Sequence, residues 1–228
     1  MKRNKIFLLF GSTGSLGKTA VDYFLDQEYD CCYFFARKEF DLPASDKNNR
    51  VLVIEDASDE KIIEKAFSKV EIDKNCEYHL LSTIGGFQGG AMIKDSSPGQ
   101  LDEMINVNLK TSFLIAKYFA RLTEKIKSGS ICFISSQSSL KATKGKAEYN
   151  ISKAGLNMLV ESLAAEGSEF NLRANAVAPF AIDTPANREW ISNPEKLVSP
   201  LEICRLVKSI FDDEKLTGKI IQMDDSSD

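Results

Sequence analysis

Apolar runs of strand length alternate with amphipathic segments of helix length along almost the whole chain, and this alternation limits the possible folds more than any other feature of the sequence. Lys5–Phe10 reads as a first strand, and Gly17–Gln27 as a helix with Val21, Phe24 and Leu25 on one face. Tyr29–Ala36 and Val51–Ile54 read as strands two and three. Ser58 or Asp59 then caps a helix that runs to about Val70 and turns Ile62, Ile63, Ala66 and Phe67 inward. Tyr78–Ile84 is a fourth strand, followed by a long helical stretch over Gln100–Lys127. Ser130–Ser135, the helix Tyr149–Phe170, Leu172–Val177, the helix Pro200–Asp212 and Lys219–Met223 complete about seven strands. Strands apolar at nearly every residue are covered on both faces, which calls for helices on either side of a parallel sheet. The expected fold class is α/β: a single-domain, doubly wound parallel sheet with helices on both faces, built from residues 1–228 as one unit.

The stretches left as loops are Phe40–Asn49, Gly85–Gly99, Gln137–Glu148 and Phe180–Ser199. The last three follow the carboxyl ends of strands four, five and six, where ligands bind in such sheets. Composition narrows the function classes. Lys and Arg total 29 against 33 Asp and Glu, a net charge of −4 that is the wrong sign for a general nucleic-acid surface. No stretch approaches the roughly 20 apolar residues of a membrane span. The apolar run Ile6–Phe10 is too short for a signal-peptide core. Five scattered cysteines without Cys-x-x-Cys read as reduced thiols, four of them in apolar surroundings, and the one histidine excludes a histidine-rich metal site. A cytoplasmic protein without metal, nucleic acid or membrane is expected.

The first strand runs into Gly11-Ser12-Thr13-Gly14-Ser15-Leu16-Gly17, and a helix starts at once. Glycines let the backbone approach a pyrophosphate, and the helix end turns unpaired N–H groups and its positive dipole toward that anion. The strand–turn–helix context therefore points to a dinucleotide. At the end of strand two, where an NAD site places an acidic residue, stand Arg37 and Lys38, with Arg37 twenty positions after Gly17. A guanidinium pairs with a 2′-phosphate, so NADP(H) is favoured over NAD(H). The competing reading of both residues is a pair of solvated loop charges.

Ser136 ends strand five, and Tyr149 and Lys153 open the next helix with a spacing of four that puts them on one face. An ammonium about 5 Å from a phenol favours phenolate by roughly 3 kcal/mol, or about 2 pKa units, at an effective dielectric of about 20. That shift would bring a tyrosine into the range of a general acid or base. Singly, each residue has a plainer reading: core tyrosine, solvated lysine, strand-ending serine.

Together these motifs resemble the short-chain dehydrogenase/reductase family over nearly the whole chain. Tyr149 and Lys153 match its Tyr-x-x-x-Lys, Ser136 its serine thirteen residues earlier, and Asn108 its helix asparagine within Asn106-Val107-Asn108-Leu109. Asp56-Ala57 is similar to the segment that meets the adenine ring, and the resemblance implies that Ile84, Gly85 and Gly86, which follow strand four, also contact the cofactor. Pro179, Ile182 and Thr184 match the segment beside the nicotinamide. The resemblance implies a Rossmann-like fold and hydride exchange with a small carbonyl or alcohol substrate. Tyr149 would protonate the carbonyl oxygen and Ser136 would hydrogen-bond it. Lys153 would lower the phenol pKa and hold the nicotinamide ribose, and Asn108 would anchor a proton-relaying water. It also implies a homodimer or homotetramer built on the two long helices.

The sequence departs from the family in its Gly-x-x-Gly-x-x-Gly spacing, in Ser82-Thr83-Ile84-Gly85, and in Phe180 after Pro179. The glycine spacing, Gly85-Gly86-Phe87-Gln88-Gly89-Gly90 and Asp183-Thr184-Pro185-Ala186-Asn187-Arg188 look like the dihydropteridine reductase branch. That branch uses an acidic residue after strand two and lacks the serine. Substrate is expected between Phe87, Met92 and a loop over 180–199, with Phe180, Ile182, Trp190, Ile191 and Leu197 as an apolar lid. Two alternatives stand beside an NADP(H)-dependent reductase: a dihydropteridine reductase-like enzyme, and a regulatory protein that binds NADP(H) without turnover.

Overall fold

Strand β1 (Asn4–Phe10) sets a two-sided pattern, because successive strand side chains point to opposite faces. Ile6, Leu8 and Phe10 enter one apolar layer and Phe7 and Leu9 the other. A computed structural model describes residues 4–43, 47–191 and 193–223, and it contains a parallel seven-stranded sheet. The strand order is β3 (Arg50–Val53), β2 (Cys31–Ala36), β1, β4 (Cys76–Ser82), β5 (Gly129–Ile134), β6 (Leu172–Pro179) and β7 (Lys219–Met223).

Helices α1 (Ser15–Leu25) and α7 (Pro200–Asp212) cover the face that holds Phe7, where Phe7 stacks on Phe24 at 4.1 Å. Helices α2 (Glu60–Ser68), α4 (Thr111–Ile126) and α5 (Ala147–Gly167) cover the other, where Phe10 stacks on Phe35 at 4.1 Å. Burial on both faces explains the uninterrupted apolar strands. Cys32, Cys76, Cys132 and Cys204 are buried as free thiols in these layers. Among the described residues no helix is long and apolar enough to cross a membrane.

Three elements differ from expectation. The helical stretch expected over Gln100–Lys127 begins earlier, as α3 (Pro98–Met104), because Ser97 and Gln100 form a reciprocal capping box. It is then interrupted by a π-helical turn over Ile105–Lys110 before α4 begins. The loop expected over 180–199 contains a short helix, α6 (Pro185–Trp190), capped by the Thr184 hydroxyl. Its ends are tied together: Asp183 N–H donates to the Val198 carbonyl and Val198 N–H to the Ala181 carbonyl, each at 2.8 Å.

Candidate active site

Strands β1 and β4 are neighbours at which the strand order reverses, the switch point whose carboxyl ends border the ligand crevice in sheets of this kind. The Gly11–Gly17 turn leaves β1 there, and the segment after β4 lies beside it. Thr83 N–H donates to the Phe10 carbonyl at 2.9 Å, and Thr83 Oγ1 to the Gly11 carbonyl at 3.1 Å. Gly11 has φ +91°, and a Cβ there would stand 2.6 Å from Thr83 Oγ1. At Gly17 a Cβ would lie 2.0 Å from the Gly11 carbonyl oxygen, so α1 packs on the turn only without a side chain.

Gly14 is different. Its φ of −70° suits any residue, and a Cβ there would meet only the Gly11 carbonyl oxygen at an ordinary 3.5 Å. Nothing inside the protein demands glycine at this position. Gly14 is also the N-cap of α1 and supplies no side-chain acceptor to the first-turn N–H groups. A bare, exposed glycine in front of an uncapped helix end fits a pyrophosphate.

The rest of the turn divides by direction. Thr13 is half-buried and Ser15 exposed, whereas Ser12 turns inward, its Oγ donating to the Leu9 carbonyl at 3.1 Å and the Phe35 carbonyl at 3.3 Å. Leu16 is likewise buried in the apolar layer. The side chains of Ser12 and Leu16 therefore shape the turn from inside rather than face the crevice. Gly11 and Ser12 N–H both donate to the Phe35 carbonyl, at 3.0 and 3.2 Å, which brings the end of β2 alongside. Arg37 and Lys38 follow Ala36 there, both exposed. After β3, the N–H and hydroxyl of Ser58 donate to Asp56 Oδ1 at 2.8 and 2.7 Å, which holds that carboxyl below its ordinary pKa, and Ala57 is half-buried beside it.

Tyr149, in the first turn of α5, faces Ser136 just beyond β5, and the serine hydroxyl draws the phenol pKa down. Ser136 Oγ lies 3.0 Å from Ser138 Oγ and accepts from Ser138 N–H at 3.3 Å. One turn along α5, Lys153 Nζ donates to the Ile134 carbonyl at 2.8 Å and stands 5.9 Å from the centre of the Tyr149 ring. The expected lowering of the phenol by the ammonium is not what the structure holds. Burial raises the Tyr149 pKa above its ordinary value, and the Ser136 hydroxyl offsets this only in part. Lys153 is itself buried, which pushes its pKa down to about 8, and its proton is directed at a strand carbonyl.

Gly85 lies over this lysine: a Cβ there would be 3.2 Å from Lys153 Nζ and 3.0 Å from Asn108 Oδ1. Asn108, buried in the π-helical turn, clamps the same segment, accepting from Gly86 N–H and donating to the Gly86 carbonyl, both at 3.0 Å. A π-helical turn often marks a functional site, and here it aims one carboxamide directly at the segment after β4. Phe87 closes the outer side. Its ring meets the Tyr149 ring edge-on at 5.0 Å, and Lys146 Nζ lies 5.4 Å from the Phe87 ring centre.

A family model described as short chain dehydrogenase matches residues 5–195. This chain belongs to the short-chain dehydrogenase family. The 3-oxoacyl-[acyl-carrier-protein] reductase MabA of Mycobacterium tuberculosis is 29% identical over 181 residues, covering 74% of this chain and 73% of its own. A chloroplastic tropinone reductase homolog of Arabidopsis thaliana is 28% identical over 198 residues, covering 83% of this chain and 61% of its own. The solved structure of ElxO with NADP bound superimposes with a TM-score of 0.84 at 20% identity, covering 98% of both chains. Of these, the mycobacterial protein is named as a reductase and the plant protein as a reductase homolog, and neither is named as a dihydropteridine reductase.

In this short-chain dehydrogenase, sequence reasoning missed Ser152, whose Oγ accepts from Asn108 Nδ2 at 3.1 Å and ties the π-helical turn to α5. Its position beside Lys153 was visible, but its partner lies 44 residues away. On the substrate side, Phe180 and Met92 are exposed and Ile182, Ile191 and Leu197 half-buried. Ile182 pairs with Val198 in an isolated bridge, and Pro179 ends β6. The side chain of Trp190 lies outside the described residues.

Proposed function

We propose that this short-chain dehydrogenase is an NADP(H)-dependent oxidoreductase that interconverts a small, partly apolar carbonyl compound and its alcohol, with Tyr149 as general acid and base. The observation that carries this reading is the Tyr149 ring beside Ser136 at the sheet's carboxyl edge, with Lys153 Nζ 5.9 Å from its centre one turn along and Phe87 edge-on against it at 5.0 Å. Gly11, Gly14, Gly17, Thr13 and Ser15 hold the pyrophosphate of the dinucleotide, with Ser12 and Leu16 shaping the turn from within. Exposed Arg37 and Lys38 meet a 2′-phosphate, in keeping with the NADP held by ElxO, and Asp56 and Ala57 stand at the adenine. Ile84, Gly85, Gly86, Pro179, Ile182 and Thr184 frame the nicotinamide side. The nicotinamide supplies or takes up the hydride.

The protein's own groups manage the proton. Tyr149 gives its phenolic proton to the developing alkoxide, and Ser136 donates a hydrogen bond to the same oxygen. Lys153, held by the Ile134 carbonyl, presents its remaining N–H donors on the open side of Gly85. Asn108 keeps the Gly85–Gly86 segment in place from the π-helical turn. The loop over 180–199 closes over the apolar part of the substrate, so the chain works as one dinucleotide-binding and catalytic unit. Exposed Phe113 on α4 and Ile151 and Met158 on α5, at 52%, 52% and 61% exposure, suit a homodimer or homotetramer joined through these helices.

Tyr149→Phe tests the reading directly. Turnover across a panel of aldehydes, ketones and alcohols, followed by nicotinamide absorbance, falls at least about 100-fold, while NADPH affinity stays within a few-fold. Retained turnover would show that the phenol is not the acid.

A further inference from the structure

Three residues spaced one turn apart along α5 reach three consecutive residues at the end of β5. Tyr149 meets Ser136, Lys153 meets the Ile134 carbonyl, and Asn157 Oδ1 accepts from Ser135 Oγ at 2.6 Å. The first two contacts belong to the proposed chemistry. The third does not, yet at 2.6 Å it is shorter than the 2.8 Å Lys153 contact.

Asn157 is 7% exposed, and both ends of its carboxamide are engaged. Its Nδ2 donates to Ser139 Oγ at 2.8 Å, and Ser139 Oγ donates to the Ser136 carbonyl at 2.5 Å. The Ser139 hydroxyl has a single proton, and spending it on that carbonyl leaves the oxygen to accept from Asn157. The amide therefore has one orientation, and the donors run in one direction: Ser135 hydroxyl, Asn157 amide, Ser139 hydroxyl, Ser136 carbonyl. Ser139 N–H also donates to the Ser136 carbonyl at 3.0 Å. The clamp thus grips the Ser135–Ser139 turn at both ends, with Ser136 between them.

We propose that Asn157 is a positioning residue, holding Ser136 where its hydroxyl serves Tyr149 and the substrate oxygen. The inference rests on the roles proposed above for those two residues. A leucine fills the same space without hydrogen bonds, so Asn157→Leu releases the clamp while keeping the bulk. Ser139→Ala breaks the same chain one link further on and serves if Asn157→Leu does not fold.

Two readouts separate positioning from simple structural support. In steady-state kinetics either variant lowers kcat about 10-fold or more while KM moves less than about 3-fold. In the free protein, carbon-13 NMR of labelled tyrosine, with the Tyr149 signal assigned by its loss in Tyr149→Phe, follows the phenol titration. Loosening Ser136 moves that titration upward by about half a pH unit or more, because a hydrogen bond to the phenolate is lost. In a Ser136→Ala background, Asn157→Leu leaves the Tyr149 titration where it was. An unmoved titration in the single variant, or an equal shift with and without Ser136, overturns the inference while leaving the oxidoreductase reading intact. Turnover retained by Tyr149→Phe removes both.

Discussion

Lys153 Nζ donates to the carbonyl oxygen of Ile134 at 2.8 Å while standing 5.9 Å from the centre of the Tyr149 ring. A buried cation is thus tied to the end of a central strand by a neutral acceptor, and no carboxylate among the described residues pairs with it. Such an arrangement costs stability and is held in place by the rest of the fold.

Lys153→Met should therefore make the protein more stable and less active. The folded-state pKa of about 8 lies below the ordinary lysine value, so the unfolded chain binds the extra proton between the two. Wild-type stability accordingly rises with pH above about 8 and carries the full penalty below it. The penalty is about 3 kcal/mol, and loss of the Ile134 hydrogen bond returns about 1–2 kcal/mol of it. The net expectation at pH 7 is a gain of about 1–2 kcal/mol that vanishes near pH 10, read from urea unfolding at both pH values. A variant less stable than wild type at pH 7 would refute the account.

Gly14 and Gly17 should separate cofactor binding from folding. Gly14→Ala leaves the melting temperature within about 2 °C, since its Cβ makes an ordinary contact, yet weakens NADPH binding about 10-fold or more. Gly17→Ala forces a Cβ to 2.0 Å from a carbonyl oxygen and should destabilise the protein by about 2 kcal/mol or more. Fluorescence titration and thermal melts of the two variants check this; equal effects on both quantities would show that Gly14 is structural.

Arg37→Asp should shift cofactor use from NADPH toward NADH. The substitution sets a carboxylate where a 2′-phosphate would lie, and like charges there cost several-fold in affinity each way. The ratio of kcat/KM for NADPH over NADH is expected to fall about 10-fold or more. A ratio that does not change means that Arg37 does not read the phosphate.

His79 should make the protein acid-sensitive. Its ring is fully buried in β4, with Nδ1 2.8 Å from the Tyr29 hydroxyl, Nε2 3.1 Å from Glu77 and Phe211 stacked at 4.6 Å. Burial pushes the histidine pKa down, and Glu77 opposes this without reversing it. The unfolded chain then takes up the proton first, so stability is level above about pH 7 and declines below about 6.5, at a slope approaching about 1.4 kcal/mol per pH unit. Urea midpoints between pH 8 and pH 5.5, compared with His79→Gln, measure it. A wild-type curve that rises on acidification would mean that the Glu77 contact dominates.

The order of strands and helices, the parallel sheet and the glycine-rich turn after the first strand were readable along the chain because each depends on local periodicity or on residues a few positions apart. Tyr149 and Lys153 share a face for the same reason, since a spacing of four is one helical turn. The interruption of the long helix at Ile105–Lys110 was not readable, because Asn108 is drawn to Gly86, 22 residues away. The inward turn of Ser12 toward Phe35, and the bonds from Asn157 to Ser135 and Ser139, likewise join residues about 20 apart in sequence. The protonation of the site was beyond reach too. Spacing alone put an ammonium beside the phenol, but packing buried the lysine, partly desolvated the phenol and turned the lysine toward Ile134, and desolvation depends on every atom around a charge rather than on the neighbour one turn away.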